Sequence, residues 1–287
     1  MVSARDTWLI QLRAQRAAAR AITLFAGEGI DALPVKGVVT SRTLYPDVAE
    51  RILTDVDLKI RPSDFRRALR LVQREGFPLL QLLRTYGNFV FSIDGVPVDV
   101  ETTASVPGLC ALGVDTMIAR ATPSDLLGVP HLLPDLHDHA VVLLLNVFKD
   151  KLVHAFRWAV RDVELLGARV DATTLVARLG EASALSMGYV VARWMASRGD
   201  QQWRALGDAI GERVPRMAYA RAHEALLRDV SYDALKLRMH SRFGADSPAL
   251  RATALVRAAA CSLEIALSRF GSTPYRRSSL SDDVLPD

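Results

Sequence analysis

Apolar and polar positions alternate with period two over residues 51–60, where Val56, Leu58 and Ile60 interleave with Asp55, Asp57 and Lys59. That is the pattern of a strand with one buried face. Before it, Trp8, Leu9, Leu12, Ala19, Ile22 and Phe25 recur at helical spacing and predict a helix over about residues 7–26, ended by Gly27 and Gly29. Residues 32–35 read as a short strand that runs into Lys36-Gly37 and the start of a helix, closed by Leu44-Tyr45-Pro46. After the alternating strand, Pro62-Ser63-Asp64 offers a cap to a helix carrying Phe65, Ala68, Leu69 and Val72, stopped by Gly76 and Pro78. Two further runs of strand character, 88–93 and 96–101, flank Asp94-Gly95, the strongest short hairpin signal. In the second run Val98 and Val100 face one way, which turns Asp99 and Glu101 the other way.

From about Leu126 onward strand signals give way to helix-period segments, at 136–147, 152–166, 172–179, 182–197, 203–210, 215–227 and 248–270. Glycines punctuate them, and Asp171 and Ser247 are placed as caps. The expected architecture is α+β: an N-terminal domain over residues 1–125 with a small mixed sheet flanked by helices, then an all-helical domain over 126–270. Residues 271–287, rich in serine and aspartate, have little to bury and are expected to be mobile.

Composition narrows the function classes. The chain has 287 residues, half of them hydrophobic, and a formal net charge of only +4, a mild basicity that neither demands nor excludes a nucleic-acid partner. Cys110 and Cys261 have no CxxC neighbours, so neither a disulfide framework nor a zinc knuckle is expected. Arginines spread through the N-terminus argue against a signal peptide, and the longest apolar run, 140–147, falls short of membrane-spanning length. The reading is a soluble cytoplasmic protein with no membrane partner.

Candidate chemistry lies in the acidic positions. Asp55 and Asp57 lie on one side of a strand, where their charges repel unless a cation sits between them, and Asp99 stands on a strand able to pair beside the first. Three such carboxylates supply the hard oxygen ligands that Mg²⁺ takes, and two Mg²⁺ ions can activate a hydroxyl, bridge a triphosphate and neutralise a pyrophosphate leaving group. Lys36 and Gly37, at a strand-to-helix turn, can offer an ammonium and backbone N–H groups to phosphate, and Arg51 can clamp it. Bland alternatives stand beside these: a solvated strand face for Asp55 and Asp57, an exposed hairpin position for Asp99, and ordinary ion pairing for Lys36 and Arg51. His131, His137 and His139 fit no zinc spacing and read as helix-surface residues. His154, Arg157 and Arg161 read as a solvated basic face, with a role lining an acceptor cleft as the alternative.

Val35-Lys36-Gly37, Leu44-Tyr45-Pro46, Arg51, Thr54-Asp55-Val56-Asp57-Leu58, Gly76-Phe77 and Val98-Asp99-Val100, in this order, resemble the uncharacterised nucleotidyltransferase-like family of the DNA polymerase β superfamily. The likeness covers most of residues 30–200, including His139 and the helix around Arg161-Asp162. It implies a metal-dependent enzyme in which Asp55, Asp57 and Asp99 hold Mg²⁺ (two ions, with Mn²⁺ as substitute), Asp99 helps deprotonate the acceptor, and the Gly37 turn seats a nucleoside triphosphate. A nucleoside monophosphate would pass to an acceptor hydroxyl or phosphate, the acceptor being a small molecule, peptide, protein or RNA. ATP-binding is the expected donor function, and the helical domain would choose the acceptor. Two departures are visible: the superfamily's Gly-Ser is here Gly37-Val38, so the serine contact falls to Thr40 or Ser41, and a histidine common two residues after the third aspartate is here Glu101. The alternatives are a catalytically degenerate nucleotide- or partner-binding module and a toxin-like enzyme acting on tRNA.

Overall fold

The computed structural model describes residues 4–151, 157–228 and 239–268, and everything below refers to them. Residues 271–287, expected to be mobile, and His154, expected on a basic face, lie outside that set. The chain divides into two compact units. One holds Met1–Ala104, Gly113–Asp135 and the last helix from Ala259 on; the other holds Ser105–Leu112 and Leu136–Ala258.

The first unit is built on a five-stranded sheet. Its strands are β1 (Leu33–Val35), β2 (Val56–Lys59), β3 (Leu79–Leu83), β4 (Asn88–Ile93) and β5 (Val96–Glu101), in the order β1-β2-β5-β4-β3. Only the β2–β5 pair is parallel, so the sheet is mixed as expected. The β4–β5 hairpin turns at Asp94 and Gly95, with φ of 52° and 81°, the two left-handed residues of a type I′ turn. One face of the sheet, carrying Val56, Leu58, Ile60, Phe89, Phe91, Ile93, Val98 and Val100, packs against Ile22 and Phe25 of α1 (Ala4–Gly27) and Ala68 and Val72 of α3 (Phe65–Arg74). Phe25 and Phe91 meet edge to face at 6.2 Å. Between β1 and β2 lies the short α2 (Gly37–Thr43).

Strand β2 is shorter than the alternation predicts, beginning at Val56, where Val98 of β5 meets it. Two short strands, β6 (Thr122–Ser124) and β7 (His131–Leu133), form a separate ribbon. β7 lies past the point where sequence pattern loses strand character, because three residues are too few to show a period. Helix α4 (Val114–Arg120) precedes that ribbon.

The second unit is helical: α5 (Leu136–Asn146), α6 (Arg157–Gly167), α7 (Ala172–Glu181), α8 (Leu185–Ser197), α9 (Gln201–Gly211) and α10 (Met217–Arg228), with part of the helix Pro248–Ser268. Asp171 caps α7, accepting the N–H of Thr174 at 2.7 Å. Trp203 is fully buried and donates its indole N–H to the Val163 carbonyl at 2.8 Å. It packs where α6 ends in Gly167, and a Cβ there would lie 2.6 Å from Trp203 Nε1. Among the described residues no helix is long and apolar enough to cross a membrane.

Candidate active site

The parallel register places Asp57 opposite Asp99 and Lys59 opposite Glu101. Because their neighbours Val56, Leu58, Val98 and Val100 point into the core, these four charged side chains occupy the other face of the sheet. Two carboxylates directly opposite each other repel, and each is met by a basic or polar group. Lys36 Nζ lies 2.5 Å from Asp57 Oδ1, with both side chains largely buried. Asn88, the first residue of β4, donates its amide to Asp99 Oδ1. Below this rung Lys59, with no exposed side-chain surface, is paired to Glu101.

These contacts tune the site. Burial pushes the Asp99 carboxyl up to about 7, reinforced by the charges of Glu101 and Asp57 and opposed by Lys36 and Lys59. Burial also works against the charge on Lys36, but the carboxylates of Asp57, Glu101 and Asp99 outweigh it and hold the ammonium above its ordinary range.

Lys36 sits at a strained turn. It follows β1 with φ 56° and ψ −135°, a region that residues with a Cβ rarely adopt, and its carbonyl accepts the first α2 bonds, from Val39 at 3.0 Å and Thr40 at 2.8 Å. At the next residue, a Cβ on Gly37 would lie 2.8 Å from Leu53 Cδ2 and 3.0 Å from Arg51 Nη2. The Arg51 guanidinium therefore lies against the Gly37 backbone, as only glycine permits.

The structure thus brings together Lys36, Gly37, Arg51, Asp57 and Asp99. Asp55 stands one residue before β2, partly buried, with Thr54 Oγ1 at 3.4 Å. Thr40 and Ser41 are wholly buried in α2, and their hydroxyls face the carbonyls of Gly37 and Val38 at 3.4 Å. Among the described residues no three His, Cys, Asp or Glu side chains are grouped closely enough to hold a metal ion as they stand. The donor set nevertheless fits a hard divalent cation: Asp57 and Asp99 lie abreast on one face, and the ammonium against Asp57 marks that face as a place for positive charge.

Lys59 and Asn88 join this constellation in addition to the residues expected from sequence. Lys59 was visible as the third member of the alternation Asp55, Asp57, Lys59, whereas Asn88 carried no local signal. Two of the three histidines differ from expectation, whereas His137 is partly exposed on α5 and accepts the Asp171 N–H at 3.1 Å. His131 is buried in β7 with Nδ1 2.8 Å from the Val129 carbonyl, and His139 is buried on α5. Arg161 pairs with Glu164 at 3.0 Å on an exposed face of α6.

A family profile described as uncharacterised nucleotidyltransferase matches residues 4–197, about two thirds of the chain. No curated protein matches. Among solved structures, one similar chain is the antibiotic-resistance factor ANT(2'')-Ia, determined in solution. It is 15% identical, with a TM-score of 0.43, over 76% of this chain and 99% of that one.

Proposed function

The chain belongs to the uncharacterised nucleotidyltransferase family, and on that premise we propose that it moves a nucleoside monophosphate from a nucleoside triphosphate, ATP among them, to an acceptor hydroxyl or phosphate. The cofactor is Mg²⁺, with Mn²⁺ as substitute. The observation that carries the reading is the Asp57–Asp99 rung, set beside the Lys36-Gly37 turn and Arg51. Asp57 and Asp99, with Asp55 two residues ahead of Asp57, would hold the metal. When bound, it neutralises the charge of the triphosphate and of the departing pyrophosphate.

The remaining chemistry belongs to side chains. Arg51 and the Gly37 backbone hold phosphate oxygens, the guanidinium in a bidentate fork, and the missing Cβ at Gly37 lets that guanidinium lie against the turn. Asp99, on the face of β5 opposite the core and abreast of Asp57, is the carboxylate placed to act as general base. It takes the proton of the acceptor hydroxyl as that oxygen bonds to the α-phosphorus. The bond from the α-phosphorus to the bridging oxygen breaks, and pyrophosphate leaves with the electron pair. Asn88, donating to one Asp99 oxygen, keeps the other oriented.

The test is transfer of label from an α-labelled nucleoside triphosphate, with intact-mass screening of candidate acceptors. Transfer that needs Mg²⁺ and disappears in Asp57→Asn supports the proposal; full activity in that variant overturns it. A second reading, binding without turnover, is favoured by the inward hydroxyls of Thr40 and Ser41, which leave the superfamily's serine contact unreplaced. Calorimetric ATP binding with no labelled product from any acceptor would select it.

A further inference from the structure

Lys36 is tied to a carboxylate that the proposed reaction needs for metal, although phosphate is the natural partner of an ammonium at this turn. Its Nζ is 2.5 Å from Asp57 Oδ1, in a setting where the two side chains keep only 15% and 8% of their surface. The contact is held at a backbone cost, since Lys36 adopts φ 56° immediately before α2. The surroundings leave little freedom: Val35 lies in register with Asp57, and Arg51 and Leu53 crowd the next residue. As long as the ammonium is there, one oxygen of Asp57 is taken, and no three acidic side chains among the described residues form a ligand group.

We propose that Lys36 is a built-in counter-ion that occupies the cation position at Asp57 until a nucleoside triphosphate arrives, so that divalent metal and nucleotide bind together and metal alone is held weakly. This inference rests on the reading of the site as a nucleotidyltransferase centre. The triphosphate carries the charge that draws Lys36 off Asp57: phosphate oxygens at the Gly37 turn lie one residue from the ammonium's own backbone, and they replace the carboxylate as its partner. Asp57 is then open to the metal that the same triphosphate brings. A flexible four-carbon stem with a compact charge suits such an exchange, which a planar guanidinium, fixed by its fork, does not. The arrangement also keeps two facing carboxylates from standing uncompensated in a largely dry site when no ligand is bound.

The experiment reads metal binding without turnover. Mn²⁺ is titrated into the full-length protein without nucleotide, and the free ion is followed by electron paramagnetic resonance, for wild type, Lys36→Met, Lys36→Gly and Lys36→Met/Asp57→Asn. Glycine suits the backbone at φ 56°, so that variant carries the test if methionine does not fold. Both single variants should bind Mn²⁺ at least about tenfold more tightly than wild type, and the double variant should return to weak binding. Single variants that bind no more tightly than wild type overturn the proposal, and so does tight binding that survives Asp57→Asn. The outcome is separable from that of the transfer reaction. A wild type that transfers nucleotide while its variants gain no Mn²⁺ affinity keeps the function and loses the counter-ion role; variants that gain affinity while no transfer occurs do the reverse.

Discussion

Removing Glu101 should unfold the sheet unit far more readily than removing the lysine it faces. Lys59 has no exposed side-chain surface, whereas Glu101 keeps 21% of its own. Glu101→Ala therefore leaves an ammonium sealed in the protein without the carboxylate it is paired to, a loss of about 3 kcal/mol, at the low end for a broken buried pair because Asp99 is still near and the rung has one solvated edge. Lys59→Met leaves instead a carboxylate that can reach water, and methionine fills much of the same volume, so about 1 kcal/mol is expected. Lys59→Met combined with Glu101→Leu removes both charges and should fall within about 1 kcal/mol of wild type, well short of the about 4 kcal/mol that the two single losses would reach if they added. For a unit of this size, 3 kcal/mol corresponds to roughly 6–12 °C in melting temperature. Scanning fluorimetry measures the shift, and hydrogen exchange of the β2 and β5 amides shows whether it arises in the sheet. Equal losses for the two single variants, or a double variant worse than Glu101→Ala, would show that the burial of Lys59 does not set the cost.

Three further outcomes are expected. Asp99 has a folded-state carboxyl near 7 against an ordinary 3.8, so the folded chain holds a proton that the unfolded chain gives up. Stability from this group is full below about pH 4 and is lost as pH rises through 7. Asp99→Asn should therefore be more stable than wild type at pH 8, by on the order of 2–4 kcal/mol, and no more stable at pH 4; equal pH profiles in thermal melts would contradict this. Glu101→Gln removes a charge that raises Asp99, so in metal-free protein the stability lost between pH 4 and pH 8 should be smaller than in wild type, and a larger loss in thermal melts would contradict the coupling of the two carboxyls. Gly37→Ala sets a methyl 2.8 Å from Leu53 and 3.0 Å from Arg51; it should cost about 1–3 kcal/mol and weaken triphosphate binding, with calorimetry as the measure.

Much of this site was legible along the chain because its grammar is local. Alternation assigned Asp57 and Asp99 to one face of their strands, Asp94-Gly95 marked the hairpin, and Lys36-Gly37 marked the turn into α2. What sequence alone could not supply was pairing across distance. Nothing local says that β2 lies between β1 and β5, or that a parallel register sets Asp57 against Asp99; a slip of one residue would have turned Asp99 to the core face. The Lys36–Asp57 contact spans 21 residues and the Lys59–Glu101 contact 42, so both depended on that pairing. β3 escaped notice because Leu79-Leu80-Gln81-Leu82-Leu83 does not alternate, and its pairing with β4 is irregular between Leu79 and Gln81. The β2 strand was over-read because residues before Val56 continue the alternation without a partner strand to meet them.

The claim on which everything else turns is that Asp57 and Asp99 share a divalent cation delivered with nucleotide. Crystals of the full chain grown with Mn²⁺ and a non-hydrolysable nucleoside triphosphate analogue, with diffraction recorded at the manganese edge, address it directly. An anomalous peak within bonding distance of both carboxylates is expected, with the Lys36 ammonium moved onto phosphate. A bound analogue whose manganese touches neither aspartate, with Lys36 still on Asp57, would contradict it.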